Sequence, residues 1–167
     1  VNLEFISANP TGPLHLGHTR WAAVGDALGR VLTAAGAQVT REFYINDRGN
    51  QMDLFGQSVE AVALGNAVPE NGYQGEYIKD LAKDVVAQNS GIKDLSGDER
   101  FVAFREAAYA LQLKDQQRVL DTFNTHFDVW FSERSLHDQG AVEHGMEKLR
   151  AQGHVFDVDG AVWLRTT

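Results

Sequence analysis

Apolar and polar positions alternate from Val1 to Ser7 (VNLEFIS), with Val1, Leu3 and Phe5 on one face, the mark of a strand. Asn9 to Pro13 breaks the pattern, because proline and glycine suit neither a helix nor a strand interior. From about Thr19 the period lengthens to that of a helix. Trp21, Val24, Leu28, Leu32 and Ala35 form an apolar stripe, and Gly36 stands where a C-terminal cap glycine belongs. Gly25 and Gly29, four apart, would let this helix approach a sheet closely. Gln38 to Ile45 reads as a second strand. Strand, helix and strand in that order imply a right-handed crossover between parallel strands.

Further on, a helix from Asn50 turns Met52, Phe55, Val59 and Val62 inward. Val68 to Gly75 is a loop, Glu76 to Gln88 a helix, and residues 89–98 the segment expected to be most flexible. A long helix opens at Asp98, with Phe101, Phe104, Ala108 and Leu111 on one face. Phe127 to Phe131 is a short apolar strand. Val142, Met146 and Leu149 mark a helix ended by Gly153, and Asp159-Gly160 suits the type I′ turn of a closing hairpin. The pattern predicts an α/β class: a Rossmann-like nucleotide-binding parallel sheet with an α-helical insertion over about residues 66–123.

Composition narrows the function. The chain has 167 residues, enough for one well-buried domain, and its 43% hydrophobic content argues against disorder. A balance of 15 Lys+Arg against 23 Asp+Glu is unlike that of a module living on a phosphate backbone. No apolar run approaches a bilayer span, so no membrane partner is expected. Cysteine is absent, which excludes disulfides and suits a cytoplasmic setting. The start at Val1 and the stop after a β-rich stretch suggest a piece of something longer.

The chemistry is concentrated in Glu4 to His18 (EFISANPTGPLHLGH). A strand feeds a Pro/Gly loop, and His15-Leu-Gly-His18 enters a helix whose N-terminus favours phosphate. Gly17 leaves room for a flat adenine or a phosphate, and the two histidines lie on one side of the first turn, able to donate to phosphate oxygens. Donors aimed at charge that develops on an α-phosphate stabilise a transition state by roughly 3–4 kcal/mol each. The same four residues could instead cap a helix or bind a metal. Position within a βαβ unit favours the nucleotide. Asn46, Asp47, Gly49 and Gln51 follow the second strand, at the edge where open α/β sheets bind ligands. Asp47 could accept from a substrate amino group or cap the next helix. Tyr73 and Tyr77 read as packing residues, Trp130-Phe131 as core, and His126, His137, His144 and His154 share no ligand spacing.

Four blocks carry a resemblance: Ser7 to His18 (SANPTGPLHLGH), Arg41 to Gln51 (REFYINDRGNQ), Tyr73 to Tyr77 (YQGEY) and Phe127 to Glu133 (FDVWFSE). Together they make the chain similar to the catalytic domain of arginyl-tRNA synthetases, a class I aminoacyl-tRNA synthetase family. The resemblance implies ATP-dependent activation of L-arginine to arginyl-adenylate and transfer to tRNA(Arg). It implies that His15, Gly17 and His18 sit on ATP, with His15 and His18 catalytic. Asn9 would contact the substrate arginine, with the Glu4 carboxylate beside it, and Glu133 would pair with its guanidinium. On position alone Glu133 reads rather as a surface residue pairing with Arg134 or Arg150. Mg2+ is expected on the ATP phosphates, with no protein-bound metal, and a monomer is favoured.

The family's KMSKS-like lysine loop is missing. Some relatives lacking its key lysine carry another just upstream of the paired histidines, where Gly12 stands here, so the usual loop is expected beyond residue 167. The chain alone is expected to bind ATP weakly and not to aminoacylate. Two other readings compete: a small cytidylyl- or adenylyltransferase using the same histidines, and a non-catalytic module with a decayed site. The long stretch from Gly56 to His126 does not suit the first, and intact His15, Gly17 and His18 do not suit the second.

Overall fold

The computed structural model describes residues 1–166. It divides into two compact units, Val1–Phe131 and Ser132–Thr167. The first opens with the expected strand–helix–strand unit: β1 (Asn2–Glu4), α1 (Leu16–Ala34) and β2 (Thr40–Ile45). β1 and β2 pair in parallel, Asn2 opposite Thr40 and Glu4 opposite Glu42. β3 (Val129–Ser132) completes a sheet of order β1-β2-β3. β1 is shorter than its alternating pattern, because the backbone turns left-handed at Ile6 and Ser7.

Helix α1 lies on this sheet through its smallest residues. Ala22, Gly25 and Gly29 are its buried positions. A methyl group at 25 would run into the Phe5 ring, and one at 29 would come within 2.9 Å of the Arg41 guanidinium. Gly36, at φ 92°, closes the helix left-handed, as expected of a cap glycine. An apolar stripe ordinarily marks the packed face of a helix. Here Trp21, Val24 and Leu28 are 55%, 62% and 46% exposed, so the stripe faces outward. Close approach to the sheet demands small side chains, and α1 meets that demand with glycine and alanine.

α2 (Asn50–Leu64), α3 (Glu76–Gln88) and α4 (Gly97–Thr122) pack on one another around Met52, Phe55, Val59, Ile78, Val85 and Phe104. Each such side chain contributes on the order of 1.5–3 kcal/mol on burial. The segment expected to be most flexible tucks Ile92 into this core from a 3-10 turn, Ile92–Asp94. A second core lies against the sheet and contains Ile6, Ala8, Ala22, Phe43, Ile45 and Leu120. Phe43 stacks on Trp130 with ring centroids 4.5 Å apart, which makes Trp130 a packing residue, as its sequence suggested. α4 thus serves both cores, Phe104 in one and Leu120 in the other.

The second unit holds α5 (Arg134–Asp138), α6 (Ala141–Ala151) and a hairpin of β4 (Val155–Val158) with β5 (Ala161–Leu164). Asp159 and Gly160 take φ 50° and 78°, the two positive values a type I′ turn needs. Arg150 grips Asp157 with two bonds, 2.6 and 3.1 Å long. Among the described residues no helix is long and apolar enough to cross a membrane.

Candidate active site

Both parallel strands end in tight turns that aim polar groups past the sheet edge. The Ser7 N–H donates to the Phe5 carbonyl at 2.9 Å, and the Asp47 N–H to the Ile45 carbonyl at 3.0 Å. The first turn centres on Ile6 at φ 67°, a region that costs a β-branched residue roughly 1–3 kcal/mol. Ile6 is anchored there by its place in the second core. The twist delivers the Ser7 hydroxyl to two partners. It accepts from the Tyr44 N–H at 3.1 Å and donates to Glu4 at 2.7 Å. Glu4 is thereby oriented at the end of β1.

The loop that follows carries few donors of its own, since Pro10 and Pro13 lack N–H groups. Its carbonyls are answered by helices far along the chain. The Tyr77 hydroxyl donates to the Thr11 carbonyl at 3.1 Å. The Gln116 amide donates to the Asn9 carbonyl at 3.0 Å and to the Gly12 carbonyl at 2.9 Å. Asn9 also accepts, through its side-chain oxygen, from Asn46 at 3.2 Å. Tyr77, which the sequence suggested was a packing residue, is a hydrogen-bonding partner of this loop.

His15 is the N-cap of α1. Its Nδ1 accepts from the Gly17 N–H at 3.1 Å, and its own N–H donates to Nδ1 of His18, also at 3.1 Å. A backbone N–H can only donate, so both Nδ1 atoms are unprotonated acceptors and each neutral ring carries its proton on Nε2. The rings stack with centroids 3.8 Å apart, at 29°. Burial first, and then the neighbouring His15, hold the His18 imidazole below its ordinary pKa. This differs from the simple expectation of bare helix N–H groups facing a ligand. The cap uses the Gly17 donor, and the Nε2–H groups are what the motif offers outward. A Cβ at position 17 would come within 3.0 Å of the His15 ring, tight enough that the ring would have to shift, and glycine avoids this.

Asp47 is 2% exposed and accepts from the Tyr109 hydroxyl at 3.0 Å. The N-cap residue of α2 is Gly49, two positions further on. Glu133 stands at the start of α5 in the second unit, half-buried, while Arg150 is engaged by Asp157. A cavity of about 260 Å³ opens beside His18, lined by Leu14, Ala22, Arg118, Leu120 and Phe123 among others. Among the described residues no group of three His, Asp or Glu side chains could hold a metal ion.

The family model for the catalytic domain of class I tRNA synthetases (R) matches residues 1–166. The chain belongs to this family. The arginine–tRNA ligases of Paenarthrobacter aurescens and Micrococcus luteus are 56% and 52% identical to it over 167 residues. The chain spans 30% of the length of each of these relatives. A solved arginyl-tRNA synthetase structure from Campylobacter jejuni matches with TM-score 0.84 at 36% identity, over 98% of this chain and 37% of that one. The Thermus thermophilus arginyl-tRNA synthetase shares the fold, with TM-score 0.64 at 23% identity over 96% of this chain and 28% of its own.

Sequence reasoning singled out the family's paired histidines but missed Ser7, Tyr109 and Gln116 as members of the network around them. For Gln116 a signal existed. Phe104, Ala108, Gln112, Gln116 and Leu120 fall every fourth residue on α4 and all are buried. Two glutamines in an otherwise apolar row are polar groups that must find partners inside.

Proposed function

We propose that this chain forms the ATP- and arginine-facing part of a longer arginine–tRNA ligase. In the first step the arginine carboxylate attacks the α-phosphorus of ATP, giving arginyl-adenylate as pyrophosphate leaves. The arginyl group then passes to the terminal ribose of tRNA(Arg). The observation that carries this reading is the reciprocal cap of His15 and His18, which commits both Nδ1 atoms and leaves two Nε2–H donors side by side. Such donors suit phosphate oxygens whose charge grows as the carboxylate attacks, each worth roughly 3–4 kcal/mol in the transition state. Gly17 keeps the approach narrow and unobstructed.

On this reading Asn9 and Glu4 hold the arginine near its reacting end, and Glu133 takes the guanidinium with two oxygens, a geometry that discriminates against lysine and citrulline. Asp47 is the most recessed member of the set. It is 2% exposed and is assigned here to the substrate amino group. Mg2+ accompanies the triphosphate and neutralises part of its charge. The helical stretch over about 66–123 is an insertion in the catalytic domain, and the whole protein works as a cytoplasmic monomer.

The test is arginine-dependent exchange of pyrophosphate into ATP by the full-length protein with tRNA(Arg) present, together with calorimetric titration of ATP and arginine into residues 1–167. Full-length exchange that depends on arginine, weak ATP binding by the chain, and no arginyl-tRNA from the chain alone are the expected results. If arginine sulfamoyl-adenylate binds no better than analogues of unrelated amino acids, the arginine assignment is wrong.

A further inference from the structure

The loop before the histidines is held by a residue that the family's paired-histidine chemistry leaves out of account. Gln116 lies on α4, 107 residues from Asn9, and is 1% exposed. Its amide orientation is fixed by its surroundings. Both bonds it makes run to carbonyl oxygens, Asn9 at 3.0 Å and Gly12 at 2.9 Å, so the NH2 group must face the loop. Its Oε1 is buried without a hydrogen-bond partner. A side chain kept only to fill space would do better as methionine or leucine, which leave no orphaned acceptor. The donors are therefore what the position contributes.

The loop needs them. Pro10 is buried and Thr11 is 6% exposed, so the turn between the two bonded carbonyls is packed inside although Asn9 is exposed and Gly12 half-buried, and Gln116 ties the turn at both ends. Gly12 is three residues from His15, and Leu14 between them packs on the same core as Leu120 of α4. The histidine cap is bonded to itself, His15 to His18 and Gly17, and the bonds to Gln116 tie the loop that carries it to α4.

We propose that Gln116 is a positioning residue for nucleotidyl transfer: from the helical segment it holds the Asn9–Gly12 turn and so sets the place of the His15 and His18 donors. It touches no substrate. A displacement of about 1 Å in groups that act on a transition state lowers a rate by up to about 100-fold, while ground-state binding changes little. The inference rests on the proposed arginine activation for its kinetic consequence, and on geometry alone for its mechanical one.

The experiment uses the full-length protein with Gln116→Met, which keeps the length and removes the donors, and Gln116→Glu, which turns an acceptor toward both carbonyls. With tRNA(Arg) present, arginine-dependent ATP–pyrophosphate exchange is expected to lose about 10- to 100-fold in kcat for Met and more for Glu, a larger change than the one in arginine KM that follows from moving Asn9. A packing role predicts instead that Met matches Gln, so a Met kcat within twofold of wild type overturns the proposal. Hydrogen exchange of the peptide covering residues 8–20, followed by mass spectrometry, gives a readout independent of activity. Faster exchange there in Gln116→Met, with α2 and α3 peptides unchanged, supports the proposal. Unchanged exchange at 8–20, or a rise spread equally through α2 and α3, overturns it. If the wild-type protein shows no arginine-dependent exchange with tRNA(Arg) present, the functional reading fails, and the peptide measurement still decides whether Gln116 holds the loop.

Discussion

The helical core and the site-bearing helix bury their residues in opposite ways. In the packed trio of α2, α3 and α4 the large side chains are inside: Phe55, Phe104, Val59 and Val85 are all 0% exposed. In α1 the small ones are inside, Ala22, Gly25 and Gly29, while Trp21 and Val31 stand 55% and 64% exposed. The trio is stabilised by the volume it excludes from water. α1 is stabilised by how closely its backbone can approach the sheet, and its large apolar side chains are left without cover. A surface of that kind marks a place where more protein packs. The site therefore sits on the part of the unit least stabilised by its own contacts, beside the part most stabilised by them.

That contrast predicts separable losses. The largest is in the trio: Phe104→Ala should cost about 3–5 kcal/mol of unfolding free energy, by the transfer and cavity terms together. Urea denaturation of the chain measures it, and a loss below about 1 kcal/mol would show that the helical core is not the stable half. Next comes His18→Ala, which removes one of the two Nε2–H donors from α1. In the full-length protein it should lower the kcat of arginine-dependent exchange about 100- to 1000-fold, while arginine affinity changes little. Equal losses in kcat and affinity would mark His18 as a structural cap alone.

Much of the trio was legible in the sequence, because Met52, Phe55 and Val59, or Phe104 and Ala108, repeat at helical spacing and have one face to bury. α1 obeyed the same rule of periodicity and still pointed its stripe outward. Periodicity reports that a helix has two faces, and only the partner decides which one is covered. Gly25 and Gly29 were the better guide, since a glycine pair inside a helix has a cost that only close packing offsets. The histidine pair was visible as a motif, whereas its reciprocal cap depends on backbone direction. The bonds from Tyr77 and Gln116 to the loop join positions 66 and 104–107 residues apart, which no local pattern can reveal.

Gly25 separates the packing of α1 from that of the helical trio. Gly25→Ala leaves helix propensity better by about 1 kcal/mol in isolation. In the folded chain the added methyl meets the Phe5 ring, so the net change should be a destabilisation of about 1–3 kcal/mol. Thermal unfolding of the variant decides the sign. Stabilisation would mean that α1 can lift from β1 at no cost, and that the close approach is incidental.

Mild acid should weaken the α1 side through His18. The His18 pKa is lowered in the folded chain by burial and then by His15, so between the unfolded value near 6.5 and the folded one the unfolded state binds a proton that the folded state refuses. The contribution is intact above pH 6.5 and is lost as pH falls through the folded pKa. Protonation at Nδ1 also ends its role as acceptor for the His15 N–H. A pH titration should show the His18 ring resonance moving below pH 6.5, with protection of residues 15–19 falling alongside. A His18 midpoint above 6.5 would contradict the reciprocal cap.

The smallest effect is expected where the sequence promised a large one. Trp21 belongs to the apolar stripe, yet it is 55% exposed, and its nearest described aromatic partner is His18, edge-on at 5.8 Å. Replacing it with Gln in the chain of residues 1–167 removes little buried surface and one weak ring contact. The stability change should lie within about 0.5 kcal/mol, as for other surface positions. The same substitution in a full-length protein should cost several times more if further polypeptide covers the stripe. Denaturant midpoints for the two lengths, compared with wild type, test both halves of the statement. A loss above 2 kcal/mol in the short chain would mean that Trp21 is already core, and that α1 and the helical trio are stabilised in the same way after all.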